Sequence, residues 1–418
     1  MSCVHILKSG KRIGQICGKP AQIQDTKNST YCLKHTPAIV TTKNDQFIET
    51  IESLHFKYLA LDTTFENKAI IFKKIQYLKT LSTSSTEYQK NLNWLRHALN
   101  FPYNISIGIP IHFHSKINSE DSYVSKEITN YVSSVFSKLD KYIYGLDDVK
   151  EELMTFVCKR ISNPNSNDHV LALHGSNGVG KTRLAHGLAN ALDLPIKTIN
   201  LGSVNDVSYF TGHGFTYVDS EPGRIVQILN ETQCKNCIIY FDELDKIHQT
   251  EKGQAINAFL THLIDPTQNS KFQDVYLSGL ELDVSKVFFV FSFNDLHLID
   301  STVKDRLKII KIKEPNSQDK IMIAKKFIIP ELCENIKYKI TLEEDVIEKI
   351  VQMDSNRTGL RGVKRILEDI IGKLNIVRLL DDKNKMKLSF YNRSIPNMIE
   401  NIIKKHNIQD NHLQSMYL

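Results

Sequence analysis

Gly175-Ser176-Asn177-Gly178-Val179-Gly180-Lys181-Thr182 lies between the apolar run Val170-Leu171-Ala172-Leu173-His174 and a helical pattern from Arg183 to Leu192. It fits G-x-x-x-x-G-K-[ST] in the strand–loop–helix setting that a phosphate-binding loop requires. The glycines let backbone N–H groups turn inward around phosphate oxygens, where a side chain would clash. The helix that follows aims the positive end of its dipole at the same place. Ser176, Asn177 and Val179 supply backbone only. The expected ligand is ATP: Lys181 reaches the β- and γ-phosphates, and the Thr182 hydroxyl holds Mg²⁺.

A second stretch complements the first. Cys237-Ile238-Ile239-Tyr240-Phe241-Asp242-Glu243 is an apolar run that ends in two carboxylates. A continuous apolar run suits a central strand of a parallel sheet. Acids at its carboxyl end emerge at the ligand crevice. Asp242 is expected to bind Mg²⁺ through water. Glu243 is expected to polarise the attacking water, which points to a hydrolase rather than a passive nucleotide binder.

Around this centre the 418 residues leave room for two or three domains. Hydrophobic content of 41% and charged content of 24% are ordinary for a soluble protein. No apolar run approaches the roughly 18 residues of a membrane span, and no basic-then-apolar leader opens the chain. The expectation is a cytoplasmic, intracellular protein with no membrane partner. Net charge is +6, and residues 1–43, with seven basic side chains against Asp25 alone, carry an excess equal to all of it. Such a segment fits nucleic acid, an acidic partner or a solvated tail.

Within residues 1–38, Cys3, Cys17, Cys32 and His35 fall as C-x13-C-x14-C-x2-H. Thiolate and imidazole suit tetrahedral Zn²⁺, with His5 as a substitute ligand. A segment this short has little core of its own, so a metal would explain its folding. Cys234-Lys235-Asn236-Cys237 leads straight into the carboxylate strand and is expected to be structural.

Coarse periodicity divides the rest. Residues 39–135 carry helical spacing broken at Ser82–Ser85 and ended at Phe101-Pro102-Tyr103. Residues 136–315 alternate strand and helix patterns, the signature of a doubly wound α/β sheet. Residues 316–385 are helical, and residues 386–418 form a polar tail with some helical character.

Several motifs in one order resemble the ATPase portion of Lon proteases, in the AAA+ class. They are Asp140 to Lys150 ahead of the phosphate loop, Ile199-Asn200-Leu201-Gly202-Ser203-Val204, Thr211-Gly212-His213, Thr216-Tyr217-Val218, Pro222-Gly223-Arg224-Ile225, and Phe241-Asp242-Glu243-Leu244-Asp245-Lys246. Upstream, Glu87-Tyr88 through Trp94-Leu95 to Phe101-Pro102-Tyr103 resembles the helix and turn just before that ATPase, with Tyr103 where the family favours Trp. The resemblance covers roughly residues 70–385. It implies a P-loop AAA+ sheet, a helical lid and a homo-oligomeric ring, a hexamer. It assigns Asn294 as sensor 1, Arg306 as an arginine finger acting on a neighbouring subunit, and Arg361 as sensor 2 on the lid. Tyr217 and Val218 match the pore loop that grips an extended polypeptide. Phe272 is a second pore candidate. Residues 1–38 resemble short zinc-finger modules fused to proteins of large cytoplasmic DNA viruses, which implies a viral source.

Two departures stand out. The family's peptidase domain, with its Ser–Lys dyad, would follow the lid, where 33 residues remain. Its N-terminal substrate domain is expected to be absent or replaced by the short basic Cys/His module. The expected function is therefore an ATP-driven protein unfoldase or remodeller without its own peptidase. The alternatives are the ATPase subunit of a two-component protease with a separate peptidase, and a nucleic-acid-dependent motor recruited through residues 1–43.

Overall fold

The computed structural model describes residues 23–24, 30–31, 51–107, 126–163, 170–216, 220–354, 359–392 and 394–403. The chain divides after Ser53 into two units. In the first, Ile23–Gln24 (β1) pairs antiparallel with Thr30–Tyr31 (β2). Cys3, Cys17, Cys32 and His35, the proposed zinc ligands, lie outside the described residues, as do Tyr217 and Val218.

The second unit is built on a five-stranded parallel sheet: Val170–His174 (β3), Ile196–Asn200 (β4), Ile238–Asp242 (β5), Phe288–Phe293 (β6) and Lys308–Lys311 (β7). The spatial order is β4-β5-β6-β3-β7. β6 is thus the middle strand, and β3 is interior, flanked by β6 and β7. Continuous apolar sequence marks the strands covered on both faces: every residue of β6 is buried, and so are the first four of β3 and of β5. β7 is an edge, and Lys308 and Lys311 at its ends make that edge a poor template for further pairing. This is an α/β P-loop fold.

Aromatic rings fill one side of the sheet. Phe241 and Phe291 stack with centroids 4.8 Å apart, and Phe210 stacks on Phe259 at 5.0 Å. On the other side the helices Lys126–Tyr142, Asp147–Ser162 and Lys181–Leu192 pack through Leu139, Leu153, Val157, Leu184 and Leu188 against β3 and β6.

Helices Phe65–Thr80 and Thr86–Asn100 form a hairpin, each capped by a hydroxyl: Thr64 accepts from Asn67 N, and Ser85 from Tyr88 N. The hairpin packs on the nucleotide domain. The Trp94 indole N–H donates to Tyr276 O at 3.0 Å, and the Asn67 amide donates to Glu281 O at 2.8 Å.

A separate helical core follows β7. Ile321, Ile328, Leu332, Ile347, Ile350, Val363, Leu367 and Ile370 form it. Phe390, Ile399, Ile402 and Ile403 join the same cluster. The described part of the segment expected as a polar tail therefore closes the lid core. Its apolar residues recur at helical spacing, and the lid helices leave a groove that they fill.

Phe291 is fully buried and stacked at the sheet's centre. Phe291→Ala should cost about 3–5 kcal/mol. Urea unfolding followed by far-UV circular dichroism would measure it.

Candidate active site

The strand register assembles the site. β3 and β6 pair with His174 opposite Phe293, and β5 and β6 with Phe241 opposite Phe291. The three carboxyl ends therefore finish level, and Gly175, Glu243 and Asn294 follow them directly. A cleft of about 600 Å³ opens there. Among its lining residues are Lys181, Thr182, Asp242, Glu243, Asn294 and Arg361.

Lys181 starts the helix Lys181–Leu192 and turns back over the loop. Its ammonium donates to Gly175 O at 2.7 Å, Ser176 O at 2.9 Å and Asn294 Oδ1 at 2.7 Å. Burial pulls its pKa below the ordinary lysine range, opposed by the carboxylates of Asp242 and Asp245. Gly178 and Gly180 carry φ of +81° and +98°, a backbone that L side chains rarely adopt.

One oxygen of Asp242 is fixed by three donors. Tyr240 OH donates to Oδ1 at 3.2 Å, Glu243 N at 3.1 Å, and the Ser292 hydroxyl closely. Among the described residues, all three of these donors meet Oδ1. The Thr182 and Tyr240 hydroxyls are 3.3 Å apart, so Thr182 and Asp242 face one space. Burial pushes the Tyr240 phenol up to about 12, which keeps it a donor at neutral pH. These oxygens are hard ligands of the kind Mg²⁺ takes, and the loop is an N–H cradle, so the residues present fit a magnesium nucleotide.

Glu243 has a left-handed backbone, φ +62°. A Cβ on Gly202 would come within 2.9 Å of Glu243 Oε2. The glycine therefore leaves room for this carboxylate. Asp245 is buried and accepts from Asp295 N at 3.3 Å, which braces the turn after Asn294.

The lid rests on the phosphate loop. Leu360 N donates to Gly178 O at 3.0 Å. Gly359 has φ +77°, and a Cβ there would lie 2.5 Å from Asn177 O. Arg361 begins the helix Arg361–Leu379, whose first N–H groups have no side-chain cap. Glu331 ties the lid to the P-loop helix, accepting from Arg183 at 3.2 Å and from Lys364 at 2.9 Å.

Arg306 does not line the cleft. It donates to Thr302 O at 2.9 Å and to Asp265 Oδ2 at 3.3 Å, with its side chain 38% exposed. Phe272, the second pore candidate, is buried, exchanges backbone hydrogen bonds with Leu282 and meets the ring of Phe259. It belongs to the core. Cys234 and Cys237 are fully buried free thiols.

Residues 171–314 match the AAA family, ATPases associated with various cellular activities. The chain carries an AAA ATPase domain. It is an ATP hydrolase. Over 267 residues it is 37% identical to a Lon protease homolog of Acanthamoeba polyphaga mimivirus, covering 63% of this chain and 26% of that protein. It is 31% identical over 347 residues to a mitochondrial Lon protease homolog 1 of Dictyostelium discoideum, covering 82% and 34%. It is 29% identical over 354 residues to a Lon protease of Campylobacter concisus, covering 82% and 41%. The chain thus spans between about a quarter and two fifths of the length of these relatives, and the matches include the ATPase region.

Sequence reasoning missed Tyr240, Ser292 and Asp265. Ser292 had a signal: it is the one hydroxyl in the apolar run Phe288-Phe289-Val290-Phe291-Ser292-Phe293. If Tyr240 and Ser292 orient Asp242 in the AAA domain, Ser292→Ala should raise the Mg²⁺ concentration needed for half-maximal ATP turnover by roughly 10–100-fold. Tyr240→Phe should move it the same way. Titration of the rate against Mg²⁺ at saturating ATP reads both.

Proposed function

We propose that this chain works in a ring of like subunits and turns ATP hydrolysis into a pull on polypeptide. The observation that carries the reading is a complete hydrolytic set inside one cleft beside an arginine held outside it.

The loop amides and Lys181 bind the phosphates, Lys181 exchanging its loop carbonyls for phosphate oxygens. Thr182 and Asp242 would hold the metal, which when bound would supply positive charge against the charge developing on the phosphates. Glu243 accepts a proton from the attacking water. Asn294, whose amide oxygen already meets Lys181, orients that water or the γ-phosphate. Arg361 reads the phosphates from the lid, and Glu331 transmits lid movement to the P-loop helix through Arg183. Arg306 completes the site of the next subunit, because its anchorage to Asp265 leaves it away from its own cleft. A finger needs a neighbour, which supports a closed ring, and the proposed ring is a hexamer.

Tyr217 and Val218 are proposed to grip the substrate. They fall in sequence between Thr216 and Ser220, and the flanking residues Thr211 and Gly223 are hydrogen bonded to residues 274–275. An unfolded protein is the proposed substrate. Peptide-bond cleavage by these 418 residues alone is not expected, and a separate peptidase is an alternative arrangement. The basic residues 1–43 favour a second reading, a nucleic-acid-dependent motor. The same residues carry the proposed zinc knuckle of Cys3, Cys17, Cys32 and His35.

ATP turnover measured with casein-like unfolded protein, with DNA and with neither separates these readings. Stimulation by protein and its loss in Tyr217→Ala supports the unfoldase. Stimulation by DNA alone, lost at high salt, replaces it with the motor. Glu243→Gln should bind ATP yet lower turnover by about 100-fold or more. Arg306→Ala should lower it by roughly 10³-fold, and mixing it with Lys181→Met subunits should restore part of the rate if the finger acts on a neighbour. Metal analysis of the purified chain should find about one zinc per chain, lost in Cys32→Ser.

A further inference from the structure

We infer that Lys74 is a positioning residue for the substrate loop: its ammonium, lodged over the rings of Phe215 and Trp94, fastens the helical hairpin of residues 65–100 to the root of that loop. The inference rests on the proposed gripping role of residues 217–218. It adds a function for the hairpin, which neither the nucleotide chemistry nor the sheet requires.

The loop is held at both feet. Val275 N donates to Thr211 O at 2.7 Å, and Gly223 N donates to Asp274 Oδ2 at 2.7 Å. Gly212 and Pro222 bridge the feet to each other. Asp274 is buried and also accepts from Tyr276 N at 2.9 Å and Leu277 N at 3.0 Å. A short segment, residues 274–277, which donates to one foot and accepts from the other, therefore carries the loop.

The hairpin seizes both the carrier and the loop. Trp94 bonds Tyr276 O at 3.0 Å, and His97 meets the Tyr276 ring edge-on at 5.9 Å. Lys74 Nζ lies 4.1 Å from the Phe215 centroid and 5.3 Å from that of Trp94. Its ammonium is aimed by Asn91 Oδ1 at 3.0 Å, and Asn91 is itself buried and bonded to Glu87 O at 2.9 Å. Lys90, one helix over, donates to Thr216 O at 3.3 Å. Phe215 also contacts the Tyr276 ring at 5.9 Å. A cation between two aromatic faces is attracted to both quadrupoles, more strongly where it is partly desolvated. Burial here draws the Lys74 pKa below the ordinary lysine range, against the pull of Glu87. The contacts thus reach Thr216, the residue next to the gripping pair. Hairpin and loop root move as one piece, and a force on the loop is passed to the hairpin.

The chain's single tryptophan reports on this junction. Lys74→Met keeps the aliphatic stem and removes the charge; Lys74→Arg keeps a cation over both rings. In the full chain, Lys74→Met should change Trp94 emission and raise its quenching by acrylamide. Chymotryptic cleavage at Phe215 and Tyr217 should speed up, and the apparent KM for unfolded protein should rise, by about 2- to 30-fold. Lys74→Arg should return all three toward the parent. Lys90→Met, the milder variant, should speed cleavage in the same direction. Unchanged quenching and cleavage in Lys74→Met overturn the inference. Tyr217→Ala is run beside it. If stimulation by protein survives Tyr217→Ala, the gripping role fails, while quenching and cleavage still decide whether Lys74 holds the loop.

Discussion

Level pairing of β5, β6 and β3 is the constraint on which the site depends. Parallel strands in register end together, and each of these three ends in a different chemical group. β3 runs into the phosphate loop, β5 into Asp242 and Glu243, and β6 into Asn294. A slip of one residue would turn Asp242 to the opposite face of the sheet. The apolar bulk of Phe241, Phe289 and Phe291 enforces the register, since each ring has one place in the stack. Core packing and catalytic geometry are here a single requirement.

The lid adds a second constraint, and a backbone contact sets it. Gly178 lies at the crown of the phosphate loop, and Leu360 N bonds its carbonyl. Gly359 permits the approach because a side chain there would strike Asn177 O. Any change in the loop on binding phosphate therefore reaches the start of the lid helix through one bond. The Arg183–Glu331–Lys364 pairing provides a parallel route. Its three side chains are each more than a third exposed, so its worth is small and salt-dependent. The backbone contact is the stiffer link.

Much of this was legible in the sequence, for definite reasons. A phosphate loop has a fixed spacing because backbone geometry dictates it, and an apolar run ending in acids announces a central strand at a crevice. What escaped needed distances along the chain to be folded away. Ser292 serves Asp242 from the neighbouring strand, 50 residues away, and only the register brings the two together, while Tyr240 reaches Asp242 from two residues back on the same strand. Residues 65–100 carry ordinary helical spacing, so nothing in the pattern said that Trp94 and Lys74 would meet residues 215 and 276. The lid's last helix was hidden by polarity: Met398, Ile399, Ile402 and Ile403 are four apolar residues in a mostly polar stretch, yet they share one helical face. Phe272 erred the other way. Its place in a loop suggested exposure, whereas the backbone exchange with Leu282 folds that loop into a small bridge and buries the ring.

Lys181 exposes the physical logic of the site. Its ammonium is half-buried, and a charge so placed is costly unless paired. In this structure two loop carbonyls and the amide oxygen of Asn294 meet it, with Asp242 and Asp245 supplying the surrounding negative field. Neutral acceptors hold it less strongly than phosphate oxygens would, because bonds between charged partners are shorter and about twice as strong. The residue is therefore satisfied by neutral acceptors that phosphate oxygens would replace under the proposed function. Under the proposed function the same exchange would free Asn294 from Lys181, and its amide would then be available to the attacking water, so that one hydrogen bond would link nucleotide arrival to readiness for hydrolysis.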